Sequence, residues 1–322
     1  MLSGSQKGKL NHSTVPELQG VKLGDQIRVA QGNMGQTWYL DTVNGVDTND
    51  GASPETAFKT LAVAYGKLTA NKNEVLVVMS GSNIINEGAF VWDKAYTHLV
   101  GACGPQPYGR VRITHSSTEV VAQFTINSAG SIFKNIHWQM GNGDAQNLDC
   151  VVLGASAHYN YFENCHFDAP LNATEANVAY NALRLTSGCR SCTFQSCTFG
   201  DWSIIATSTT GNLIDFGGQN PGTHFFDCVI YIATTQASMV PVAVPADIGM
   251  NAAGYVLFEN CKFLATGTGV SVVFTAPTTG KIVLVNPVSV GVTAWAANSS
   301  TILIGSYGTA NDLNGLGQAV TT

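Results

Sequence analysis

The sequence is short of charge. Of its 322 residues only 11% are Asp, Glu, Lys or Arg, against roughly 25% in an average soluble domain. The formal net charge is −6. A chain so sparsely and negatively charged is not built to track phosphates, which argues against nucleic acid as its main partner. Long hydrophobic runs are missing too. No stretch of 18 apolar residues occurs, so no membrane-spanning helix is expected. The opening segment MLSGSQKGKLNHSTVPELQG has no apolar core of a secretory leader. Eight cysteines are present without a metal-type array, and Cys189 and Cys192 in CRSC have no second pair at suitable spacing. They read as buried thiols acting as small hydrophobes, and no cofactor is expected.

What is plentiful is glycine, 34 residues of it, together with Thr, Ser and Asn. That mixture suits a rigid, β-rich body with many turns. The length allows one large all-β unit or two ordinary domains, with a core large enough to need no staples.

Residues 1–36 are polar and glycine-punctuated, without periodicity. Lys7, Lys9, Lys22 and Arg28 against Glu17 and Asp25 give this stretch +2, leaving −8 on the rest. It reads as an extended assembly arm. The string WYLDTV then predicts a strand and NGVDTNDG a turn cluster. Ser53 before Pro54 makes a cap-and-first-turn pair. Phe58, Leu61, Tyr65 and Leu68 share one helical face, which predicts an amphipathic capping helix over about 54–69. EVLVVMSG follows as a buried strand. From there to about 304 the chain is short β segments between Gly, Asn, Ser and Pro, and 305–322 is a glycine- and asparagine-rich tail.

One string keeps returning. Phe133-Lys-Asn135-Ile136-His-Trp138 is followed by Phe162-Glu-Asn164-Cys165-His-Phe167. Phe194-Gln-Ser196-Cys197-Thr-Phe199, Phe225-Phe-Asp227-Cys228-Val-Ile230 and Phe258-Glu-Asn260-Cys261-Lys-Phe263 complete the series. Successive copies start 29, 32, 31 and 33 residues apart. A repeat in the range of roughly 20–50 residues marks a solenoid.

Inside the unit the apolar positions are the first, fourth and sixth. A straight strand alternates with period two, so its first and fourth residues face opposite ways. One bend residue restores the parity. The third position, occupied by Asn, Asn, Ser, Asp and Asn, is the residue type that tolerates such a bend. Each unit is therefore a strand, a sharp turn and a second strand. Stacking the units makes columns. One is the five phenylalanines, another is Ile136 with Cys165, Cys197, Cys228 and Cys261, and the bends Asn135, Asn164 and Asn260 form part of a polar ladder. The cysteine is thus a packing residue, expected reduced and inside.

This repeat, with its Asn at the bend, resembles the right-handed parallel β-helix of the pectate-lyase-like superfamily. The stretch from YLDTVNGVDTNDG through EVLVVMSG and HLVGACG looks like the opening of the same fold, where a helix caps the first coil. The resemblance covers roughly 38–290. It implies an all-β solenoid over 37–304 of seven or eight coils. Many similar sequences belong to bacteriophage particles and assemble as trimers. The expectation is therefore a virion structural protein, either a capsid decoration (cement) or head-fibre protein, bound to a major capsid or tail protein. The alternative is a short tailspike that binds or cleaves host polysaccharide.

For catalysis the resemblance implies either two carboxylates at a set separation or a base with calcium. The acids of the body are Asp144, Asp149, Asp168, Asp201, Asp215 and Asp247. Asp201 and Asp215 flank one rung and are the candidate pair, though isolated turn aspartates are the plainer reading. No arginine is expected near paired acids. Asp47, Asn49 and Asp50 in DTNDG resemble a calcium loop but lack its closing Glu, so an Asx-rich turn is expected. His137 and His166 fall at one outward position of consecutive coils, about 5 Å apart, and are expected as a surface pair. In PVAVP, Val242 and Val244 are either core strand or a contact with a neighbouring subunit.

Overall fold

The third residue of each repeat bends the chain as its chemistry allows. Asn135, Asn164, Ser196, Asp227 and Asn260 all have φ between +51° and +57°, the left-handed region that Asn and Asp tolerate best. In the computed structural model this bend separates two strands of every coil. The structure describes residues 35–79, 81, 83–86, 90–103, 109–115, 124–139, 149–168, 181–201, 211–249, 254–296, 302–305 and 318–319. The proposed arm therefore lies outside the described residues, apart from Gly35 and Gln36. Of these, Gln36 already accepts a hydrogen bond from the Val75 N–H at 3.0 Å.

The coils stack into three sheets. The first has eleven strands, running from Thr37–Leu40 through the phenylalanine repeats and Ile302–Gly305 to Gln318–Ala319. The second and third have eight each. Neighbouring strands within the solenoid are parallel and come from successive coils, which is the right-handed parallel β-helix. Among the described residues the one antiparallel pairing is that of Gln318–Ala319, which returns from the C-terminal segment to lie beside Leu303 and Ile304.

The register is the repeat alignment. Phe133, Phe162, Phe194, Phe225 and Phe258 pair in turn. Their rings stack at 5.0, 4.7, 4.6 and 4.4 Å with interplanar angles of 11° or less. A second stack, Trp138, Phe167 and Phe199, meets the first nearly edge-on. Cys165, Cys197, Cys228 and Cys261 are fully buried, free thiols. Each donates to a phenylalanine carbonyl of the preceding coil at 3.4–3.6 Å. Burial pushes the pKa of Cys165 and of Cys228 well above the ordinary range.

The N-terminal end is closed by a shorter helix than the pattern predicts. Residues Pro54–Thr56 form one 3₁₀ turn and α1 spans only Leu61–Lys67. Between them the chain runs extended, because Phe58 bridges Leu40 and exchanges hydrogen bonds with the first strand. Leu61, Ala64, Tyr65 and Leu68 still cover the first coil. The Tyr65 hydroxyl donates to Asp93 and accepts from the Asp93 and Lys94 N–H groups, all within 2.9 Å. The Lys94 ammonium in turn caps the helix C-terminus at the carbonyls of Tyr65 and Leu68.

Val242 and Val244 are core residues. Val242 pairs with Ile214 and Phe274 in the third sheet and is fully buried, and Val244 is 8% exposed. Neither is available to a neighbouring subunit, so of the two readings of PVAVP the core strand holds.

Candidate functional site

The outer faces of the solenoid are where chemistry has to be sought, since the lumen is packed with aromatic rings. On the second sheet, strands Val111–His115, Ile136–Gln139, His166–Phe167 and Thr198–Phe199 lie side by side. Register places Arg112, His137, His166 and Thr198 in one row. Because Trp138 and Phe167 point into the lumen, His137 and His166 point out of it. They are nevertheless buried, at 0% and 1% exposure, so the expected surface pair is an internal one.

The two imidazoles stack 4.2 Å apart with planes 11° from parallel. His137 Nε2 donates to Asp168 Oδ2 at 3.0 Å, and Asp168 is itself fully buried. His166 Nε2 donates to the Gly200 carbonyl at 2.9 Å. Gly200 has φ +79°, and a Cβ there would run into the Tyr231 carbonyl, so this turn requires glycine. His137 Nδ1 is buried with no hydrogen-bond partner. Burial, helped by Arg112 and Arg110, pushes the His137 pKa down to about 3, and the Asp201 carboxylate opposes this. Burial pushes His166 down to about 4, with His137 adding to the effect and Asp168 opposing it. Both rings are therefore neutral at physiological pH. Among the described residues, His137, His166 and Asp168 are the one group whose donor atoms lie close enough, within 4.8 Å of one another, to hold a single ion.

Beside this cluster runs the bend ladder. Asn135 donates to the Gly101 carbonyl, Asn164 donates to Asn135 Oδ1 at 2.7 Å, and Arg110 donates to Asn164 Oδ1 at 2.6 Å. Further along, Asn286 extends it by donating to Asn260 Oδ1. The ladder is a structural device that satisfies the turn amides from coil to coil.

A second polar cluster lies on the third sheet. Arg184 Nε is 3.3 Å from Asp215 Oδ2, and Arg184 Nη1 is 3.4 Å from Asp149 Oδ2. Asn181 donates to Asp149 Oδ1 at 2.6 Å. An arginine therefore does sit between paired acids, against expectation. The sequence hides it because the three residues come from three successive coils. Burial raises the Asp215 pKa, an effect that Arg184 opposes and Asp149 supports.

The candidate pair Asp201 and Asp215 is not brought together on one face. Asp201 follows the second-sheet strand Thr198–Phe199, whereas Asp215 belongs to the third sheet. Asp144 lies outside the described residues. The DTNDG residues are spent on their own turn. Asp47 Oδ1 accepts from the Lys59 and Thr60 N–H groups at 2.9 Å, Asn49 donates to the Ala57 carbonyl and Asp50 accepts from the Ala52 N–H. Their oxygens serve backbone amides as an Asx-rich turn does.

No family model and no curated protein matches the chain. Solved structures do. A rhamnogalacturonan lyase aligns over 79% of this chain and 68% of its own, with a TM-score of 0.56 and 14% identity. A pectin methylesterase mutant in complex with a hexasaccharide aligns over 87% and 93%, with a TM-score of 0.53 and 14% identity. ORF18 of Geobacillus virus E2 aligns over 90% and 64%, at a TM-score of 0.40 and 12% identity. At such identities the likeness is one of fold, and the fold is the parallel β-helix of those enzymes.

Proposed function

We propose that the chain is a structural protein of a bacteriophage particle, a capsid decoration (cement) or head-fibre protein that works as a homotrimer on a major capsid or tail protein. The observation that carries this reading is the uniformity of the body. The same ring stack and the same left-handed bend recur coil after coil, and the polar residues of the bends are engaged in holding coil to coil. Such a body is a stiff, weakly charged rod, suited to being displayed and to bearing load. The basic N-terminal arm beside a body of net charge −8 supplies a means of attachment.

One observation favours the tailspike reading. The Asp149–Arg184–Asp215 cluster combines two carboxylates and a guanidinium that is 44% exposed, groups that hydrogen-bond sugar hydroxyls well. The two readings separate by stoichiometry and activity. Quantitative mass spectrometry of purified particles should find hundreds of copies for a capsid protein, and a handful to a few tens for a tailspike. Release of reducing ends or of an unsaturated product from host polysaccharide, lost in Asp215→Asn, would replace the structural reading with the enzymatic one.

A further inference from the structure

We propose that His137, His166 and Asp168 form a binding site for a divalent transition metal, zinc or an ion of similar preference, that clamps two consecutive coils of the solenoid. Three observations converge. His137 and His166 come from adjacent strands in register and Asp168 directly follows the second of them, so the donors are delivered by rigid strands and the residue at the end of one. One donor atom from each lies within 4.8 Å of the other two, and all three side chains are buried. Two imidazole nitrogens and a carboxylate oxygen are a borderline donor set that suits zinc, cobalt or nickel better than calcium or magnesium.

The protonation states fit. A metal needs a free imidazole lone pair, and both rings donate from Nε2, so coordination at Nε2 moves that proton to Nδ1 as the tautomer switches. Charge is also compatible. Arg112 and Arg110 act on His137 against a cation, while Asp168 and Asp201 act for it. Geometry sets the cost. Rings stacked 11° from parallel direct their in-plane lone pairs side by side. Coordination at about 2.0–2.1 Å therefore requires the rings to fan open and His166 to leave the Gly200 carbonyl. Water is left to complete the remaining position, since among the described residues only these three side chains offer donors within reach of one another. The ion would replace the His137–Asp168 hydrogen bond by stronger links across the same two coils.

The test uses untagged full-length protein stripped with chelator at pH 7.5 and titrated with Co²⁺ and then Zn²⁺. The expected result is a tetrahedral Co²⁺ visible absorption that saturates at one ion per chain and is quenched by Zn²⁺, with a raised unfolding temperature. His166→Gln keeps a donor for the Gly200 carbonyl and should fold, yet should bind at least ~100-fold more weakly, beyond what loss of an outer-shell partner costs. A zinc-edge anomalous difference map of wild-type crystals should place the ion between the three side chains, which keeps the test independent of any variant. Absence of the cobalt spectrum, binding unchanged in His166→Gln, or an anomalous peak elsewhere would each overturn the proposal.

Discussion

Phe225 and Phe226 are adjacent in sequence, yet the fold assigns them opposite fates. Phe225 is fully buried in the lumen, stacked 4.6 Å from Phe194 and 4.4 Å from Phe258, and met edge-on by Phe199 at 5.7 Å. Phe226 is half-buried on the outer face, touching His224 edge-on. Truncating Phe225 to Ala removes its transfer energy and leaves a cavity that the rigid coils on either side cannot close. That costs about 3–5 kcal/mol. For a large domain each kcal/mol lowers the melting temperature by about 2–4 °C, so the midpoint should fall by roughly 6–20 °C. Phe226→Ala loses only part of a side chain's burial and should cost about 1 kcal/mol. Thermal unfolding of the two variants, followed by circular dichroism, makes the comparison with chemistry held constant. Equal losses, or a larger loss from Phe226, would refute the assignment of the first repeat position to the lumen.

Stability should also depend on pH through three buried histidines. His98, His137 and His166 have folded pKa values of about 4, 3 and 4, each lowered chiefly by burial. The unfolded chain, with values near 6.5, takes up protons first as pH falls, so stability is complete above about 6.5 and declines toward pH 4. At pH 5 each histidine should cost about 2 kcal/mol, read as a lower urea midpoint than at pH 7.5; a midpoint that held or rose would contradict their burial. A thiol reagent should label at most the half-buried Cys103 quickly in the native protein and all eight cysteines after denaturation, whereas fast labelling of Cys165, Cys197, Cys228 or Cys261 would break the packing column. Val242→Lys should prevent folding rather than merely change the oligomer, as gel filtration and circular dichroism of the soluble fraction would report. Deleting residues 1–34 should leave a folded body that no longer joins particles, and incorporation at normal copy number would move attachment to the solenoid itself.

The solenoid was legible because its repeat is written in side chains that the fold uses identically each time. A phenylalanine, a bend-tolerant residue and a cysteine recur at one spacing, and parity alone demanded the bend. A second column of left-handed residues escaped notice. Tyr96, Gly130, Tyr159, Ser191 and Gly222 all have positive φ at the turn before the first-sheet strand. Their amides pair coil to coil as the first column does, Tyr96 to Ala129 and Gly130 to His158. They are two tyrosines, two glycines and a serine, so no single residue type marks the column, and the turn is enforced by the stacked backbones without one sequence signature. The overlong helix has a similar cause. Phe58 fits a helical face, but its backbone is claimed by the first strand, and tertiary pairing overrode periodicity.

The candidate sites were less legible, for a reason that belongs to solenoids. Residues 137, 166 and 168 were visible as a histidine pair and an isolated acid, and the alternation rule placed the histidines outside the lumen correctly. Outside the lumen was then equated with solvent. Both rings are nevertheless buried, and the repeat records only which positions face the lumen, so it carries no information about burial on the outer face. The Asp149–Arg184–Asp215 cluster shows the same limit. Its members are 35 and 31 residues apart, about one coil each, so they meet by register although nothing local links them. In this architecture the sequence interval that predicts contact is the coil length. Outward-facing polar residues separated by one or two coils are therefore the pairs to test for function, even where no motif joins them.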